Sequence, residues 1–166
     1  LRTALPEPAR TWLTVSARAV TWNPGPAAWC DFFELVSGAA DEASQARAAA
    51  LYRGELAAGV NDDEVILALR ERARLHYAGL LKRLATQALG AQAFQQGLTW
   101  ARALVALDPW DEAAVRLKMN LEALSGNRAA AVATYEALAA SLKAELQTLP
   151  LPETMALYAD LIHNRV

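Results

Sequence analysis

The chain is poor in the residues that usually do chemistry. It has one cysteine, Cys30, and two histidines, His76 and His163. A lone thiol forms no intrachain disulfide, which fits a reducing, cytoplasmic setting. Between Trp29 and Asp31, at the start of an apolar stretch, Cys30 reads as a small buried hydrophobe. The histidines have no cysteine or carboxylate at ligand spacing, so neither a metal nor another cofactor is expected. There is no GxxxxGK[ST], no GxGxxG after a strand and no GxSxG. With no catalytic constellation, the chain is expected not to be an enzyme. No run of about 20 apolar residues is free of charges, so no membrane span is expected. No charged leader precedes a continuous apolar run, so no signal peptide is expected either. An excess of one charge sign is also missing. Sixteen Lys and Arg stand against 18 Asp and Glu, for a net charge of −2. That balance excludes a chain that is a basic nucleic-acid binder as a whole, while leaving room for a local basic patch.

What is present is apolar and helical. Hydrophobic residues make up 54% of the 166 positions, and much of that share is alanine, a strong helix former. A chain of this length buries a sizeable core without metals or disulfides. The organising stretch is Gly90 to Leu146, where three apolar sets recur at helical spacing. They are Phe94, Leu98, Ala101, Leu104 and Val105; then Ala114, Leu117, Leu121 and Leu124; then Ala131, Tyr135, Leu138 and Leu142. Asp108-Pro109 ends the first helix, since proline lacks the N–H and restricts the residue before it. Asp111 is placed to cap the second helix, and Ser125-Gly126-Asn127 supplies a left-handed closure and the next cap. The stretch also carries a weak repeat. With Pro109 at the closing proline of a tetratricopeptide-like unit, Gly97 and Ala101 fall at its small-residue positions. A shift of roughly 34 residues brings Ala131 and Tyr135 there, with Tyr135 plugging between paired helices. An ordinary antiparallel bundle explains the same spacing equally well.

Before this stretch, Leu1–Leu5 reads as a helix end stopped by Pro6 and Pro8. Trp12–Val15 and Ala19–Trp22 are β-prone and flank Ser16-Ala17-Arg18, which predicts a hairpin without the favoured Asn-Gly turn. Asn23-Pro24-Gly25-Pro26 is a stiff boundary. A short helix over 28–36 follows, with Trp29, Phe32, Phe33 and Val36 as its apolar bulk, then a second over 41–52 capped by Asp41. A long helix over 64–89 has the stripe Ile66, Leu69, Ala73, Tyr77, Leu80 and Leu84, and Gly90 closes it. Asp62-Asp63-Glu64 suits the positive end of that helix and reads as its cap, solvated. Arg70, Glu71, Arg72 and Arg74 alternate in sign along it and read as a solvated face, with Glu71 in reach of Arg74. Pro152 opens a last helix over 153–163 that caps the stack, with Met155, Leu157, Tyr158, Leu161 and Ile162 on it.

Five short motifs occur in order: LYRG at 51–54, RERAR at 70–74, ALDPWDEAAVRLKM at 106–119, GNRAAAVATYEAL at 126–138 and LPLPETMALY at 149–158. Together they resemble the bacterial transcriptional activator domain, the helical domain of antibiotic-regulatory (SARP-type) activators and related larger regulators. The resemblance runs from about Trp29 to the end. It implies an all-α, tetratricopeptide-like antiparallel helical array that follows a winged-helix DNA-binding domain. On that reading 1–25 is the end of the DNA-binding domain, comprising a helix end and the wing hairpin, and 26–166 is the activator domain. Arg2 and Arg18 would then be the candidate DNA contacts in the parent protein, through phosphates. The implied role is to position the DNA-binding domain and to support self-association, as a homo-oligomer, or contact with the transcription machinery. DNA enters only through the parent protein, and no membrane is involved. The alternative is a generic tetratricopeptide adaptor with no link to transcription, which has no need of a wing-like hairpin.

Overall fold

The computed structural model describes residues 12–16, 18–23, 29–37, 41–60 and 63–163. Arg2, the helix end at 1–5, the prolines of the 23–26 boundary, Asp62 and the proposed division at 25/26 lie outside them. The described residues form an all-α, tetratricopeptide-like array with a short β-hairpin at its N-terminal side. Strands β1 (Leu13–Val15) and β2 (Val20–Trp22) pair antiparallel, with Leu13 opposite Trp22 and Val15 opposite Val20. Ser16 does the work of the missing Asn-Gly. Its amide donates to the Ala19 carbonyl at 2.8 Å, and its hydroxyl oxygen accepts from the Ala19 amide at 3.0 Å.

The helices are α1 (Asp31–Val36), α2 (Glu42–Leu51), α3 (Glu64–Gly90), α4 (Phe94–Leu107), α5 (Glu112–Leu124), α6 (Arg128–Ser141) and α7 (Pro152–Ile162). A π-helical turn, Leu142–Leu146, extends α6. The expected caps form. Asp41 accepts from the Ser44 amide at 2.9 Å, Asp63 from Ile66 at 2.8 Å, Asp111 from Ala113 at 2.9 Å and Asn127 from Ala130 at 3.1 Å. Gly126, at φ 85°, takes the left-handed conformation that ends α5. Two boundaries differ from expectation. Helix α1 starts at Asp31 and not at 28, because Cys30 is extended and sits at its N-cap. Gly90 does not close α3; it is the last helical residue, and Gln92, at φ 57°, supplies the left-handed turn.

From α3 onward the breaks are short, and each helix packs on the one before it. Helix α3 is buried along two faces. Ala73, Leu80 and Leu84 meet Leu35 of α1 and Ala48 and Ala49 of α2, while Ala85 meets Leu98 and Ala101 of α4. Leu81 packs with Leu104 and Ala114. The far end of the array is filled by Val115, Met119, Ala131, Leu138, Leu142 and Leu161. The repeat positions Gly97, Ala101 and Ala131 are all buried. A Cβ on Gly97 would stand 2.7 Å from Leu121 Cδ2 and 3.2 Å from Ala88 Cβ, so glycine here sets how closely α4 approaches both neighbours.

Five apolar positions depart from the expected stripes. Trp29, Phe33, Leu124, Met155 and Ile162 are exposed, while Leu35, Val115 and Met119 are buried in their place. Tyr135 is half-buried and not a full plug. Its ring stacks on Tyr158 with centroids 4.0 Å apart and planes 10° apart, joining α6 to α7. Cys30 is half-exposed and not a core residue.

Candidate interaction site

Among the described residues no three histidine, cysteine, aspartate or glutamate side chains group as metal ligands, and no helix is long and apolar enough to cross a membrane. His76 and His163 are both exposed. The polar side chains that do come together form two junctions, one at each end of the array.

The first joins α2, the loop at 52–60 and α3. Tyr52 stacks on Tyr77, centroids 4.2 Å apart. Arg70, expected on a solvated face, is instead only 11% exposed in its side chain. Its Nε donates to the Leu56 carbonyl at 2.9 Å. Its Nη2 donates to Ala57 at 3.0 Å and to Val60 at 3.2 Å, and Nη1 lies 3.4 Å from Glu55. One guanidinium thus holds the whole loop against the long helix. A turn further on, Arg74 and Glu71 form a two-pronged pair at 2.9 Å. The hydrogen bond from Arg74 holds the Glu71 carboxyl below its ordinary range, and the same bond pushes the Arg74 guanidinium up. Burial, followed by the Tyr52 ring, pushes the Tyr77 phenol up. Between α1, this loop and α3 lies a cleft of 290 Å³ lined by Phe32, Leu35, Tyr52, Arg53, Leu56 and Ala73, among others.

The second junction joins α5, α6 and α7. The buried Glu112 carboxylate accepts from the Leu151 amide at 2.8 Å and from the Thr154 hydroxyl at 2.6 Å. Arg116 Nη1 donates to that hydroxyl at 2.8 Å. Glu122, also buried, accepts from Thr134 at 2.8 Å and lies 3.5 Å from Lys118. The Trp110 indole N–H donates to Ser141 Oγ at 3.0 Å. A carboxylate at the start of α5 thereby ties down the start of α7.

The five sequence motifs divide between these junctions. LYRG and RERAR meet at the first; ALDPWDEAAVRLKM, GNRAAAVATYEAL and LPLPETMALY meet at the second. The family model of the bacterial transcriptional activator domain matches residues 34–162. The chain belongs to this family. No curated protein and no solved structure matches it. The match begins within α1 and runs through α7. Sequence reasoning found its motifs but missed what Arg70, Glu112, Arg116 and Thr154 do. The one signal was chemical: each is a polar residue inside a helix otherwise read by its apolar stripe.

Of the two candidate DNA contacts, Arg2 lies outside the described residues. Arg18 is exposed in the hairpin turn, where its amide donates to Ser16 Oγ at 3.4 Å.

Proposed function

We infer that this activator domain serves a bacterial transcriptional regulator by orienting a winged-helix DNA-binding domain before it, of which 1–25 is the end. It also supports self-association or contact with the transcription machinery. Membership of the activator-domain family supports the transcriptional setting. The observation that supports a covered hairpin, which the positioning role requires, is Leu13, only 5% exposed within a ribbon of two three-residue strands. So small a hairpin has no interior of its own and is marginal alone in water, so a leucine buried in it implies cover from elsewhere. The hairpin would then be coupled to its surroundings and not a free tether.

Leu13→Asp tests this. If hairpin and helices are coupled, the thermal midpoint of the 166-residue chain falls; an unchanged midpoint makes the hairpin an independent remnant. Sedimentation over a range of concentrations tests self-association, and a monomer throughout removes that part. The chain by itself is expected to show no sequence-selective DNA binding, because base readout needs a whole helix seated in the major groove. In the parent protein, Arg18→Ala would weaken DNA binding evenly across sequences and lower the salt slope by about 1, the signature of a lost phosphate contact. Loss confined to one base position would contradict that role.

A further inference from the structure

We propose that the outer face of the second half of α3 contacts the phosphate backbone of duplex DNA, without regard to base sequence. Charge is segregated along the chain. Acidic residues outnumber basic ones overall, 18 to 16, yet from Arg72 to Leu107 there are five lysines and arginines and no aspartate or glutamate. Three of the five, Arg72, Lys82 and Arg83, are exposed on α3. Arg72, His76, Gly79 and Arg83 recur at i, i+4, i+7 and i+11 and so share one face. Lys82 stands beside it and lines an open groove of 320 Å³ with Arg83 and Gln87. In mid-helix the backbone groups are taken up by the helix ladder, so side chains alone set the chemistry of this face. Among the described residues Arg72, Lys82 and Arg83 form no ion pair. Arg72 rests over the Phe32 ring at 6.0 Å, and Arg83 lies beside Gly79. Glu71, the carboxylate just before the stretch, is held by Arg74 through two bonds of 2.9 Å.

Arg72 and Arg83 stand about 16 Å apart along the helix axis. The helix is buried along two other faces, so it holds these cations as a fixed row. A fixed row fits a partner whose anions are themselves fixed and evenly spaced, as duplex phosphates are. A flexible acidic peptide gains less from it. Gln87 adds a neutral amide donor of the kind that also bonds phosphate oxygens. That DNA is at hand rests on the transcriptional reading above. A regulator seated through its DNA-binding domain brings the helical domain beside the duplex. Contact at α3 then adds affinity, while base contacts made elsewhere set the sequence.

The test is titration of the ¹⁵N-labelled 166-residue chain with a mixed-sequence duplex of two helical turns, followed by amide chemical shifts. It is repeated over a range of salt and with a second duplex of unrelated sequence. Saturable shifts grouped at 72–87, alike for both duplexes, are expected. Three phosphate contacts at about −0.9 each give a log–log salt slope of about −2.7, and Lys82→Gln with Arg83→Gln should cut it to about −0.9. Arg53 and Lys143 are exposed outside this face. Arg53→Gln with Lys143→Gln removes the same charge there and should leave the slope unchanged. The spectrum of each free variant, unchanged away from the substitutions, shows that the fold is kept. The proposal is overturned if the shifts leave α3 untouched, if the control pair weakens binding as much as the α3 pair, if poly-glutamate shifts the same amides as strongly as DNA, or if nothing saturates. None of these outcomes bears on Leu13→Asp, so the α3 contact and the positioning role stand or fall separately.

Discussion

The hydroxyl of Thr154 donates a 2.6 Å hydrogen bond to the carboxylate of Glu112, 42 residues earlier in the chain. Thr154 is fully buried, and its oxygen also accepts from Arg116. Thr154→Val keeps the shape and removes the hydroxyl, leaving two charged partners short of a bond in a place water does not reach. A loss of about 1–3 kcal/mol is expected, read from urea unfolding. Because the same carboxylate holds the Leu151 amide, hydrogen exchange in α7 should accelerate more than in α3. Equal acceleration throughout would mean that the contact does not anchor α7.

Two glycines in helices should respond to alanine with opposite sign. Alanine favours a helix over glycine by about 1 kcal/mol. At Gly79 the nearest atom to a new Cβ is the mobile Arg83 Nη1 at 3.5 Å, so Gly79→Ala should gain most of that amount. At Gly97 the Cβ meets buried Leu121 at 2.7 Å and the rigid Ala88 Cβ at 3.2 Å. Overpacking costs about 1–3 kcal/mol and outweighs the propensity gain. Gly97→Ala should therefore lower the urea midpoint, and a higher one would show that α4 can move away.

Leu104 and Leu124 lay in the same kind of sequence pattern but have different fates. Leu104 is 4% exposed and Leu124 is 46% exposed. Leu104→Ala should cost about 2–5 kcal/mol, while Leu124→Ala should stay within about 0.5 kcal/mol. Similar losses at both sites would sink the burial pattern of α4 and α5.

Arg70→Met removes the hydrogen bonds that hold the 52–60 loop while keeping the aliphatic stem. Limited proteolysis should then cut within that loop sooner than in the parent chain, with the helices α4 to α7 intact. Unchanged cutting would mean that the Tyr52–Tyr77 stack alone secures the loop.

Stability should fall at both ends of the pH scale, for opposite reasons. Asp41 is held below its ordinary value first by the Ser44 hydroxyl, and Glu71 by Arg74. A carboxylate depressed in the fold stabilises it above the unfolded value, about 4, and that contribution is lost as pH falls through the folded value. Tyr77 and Tyr135 are pushed up chiefly by burial. Their contribution is intact below the unfolded phenol value of about 10 and is lost as pH rises beyond it. Urea midpoints across pH should show a plateau with two falling limbs. Asp41→Asn should flatten the acid limb and Tyr77→Phe the alkaline one, and limbs that ignore these changes would assign the titration elsewhere.

The local grammar of the chain was readable in order. Asp41, Asp63, Asp111 and Asn127 cap the helices that follow them, and Gly126 ends α5, because capping depends on residues within one turn of each other. Helical spacing likewise located every helix from α3 to α7, and the ordered motifs named the family. What the sequence could not determine is which of several apolar or charged faces meets a neighbour. Helix α3 is buried on two faces, so its single stripe understated its core, and Leu35 is buried where Phe33 is exposed because α1 is a six-residue helix pressed on α2 and α3. Arg70 looked like a surface charge until the loop folded back over it, and Glu112 carried no reading of its own until α7 was placed beside it. Those roles depend on partners many residues away, and only the packing of the array brings them within reach.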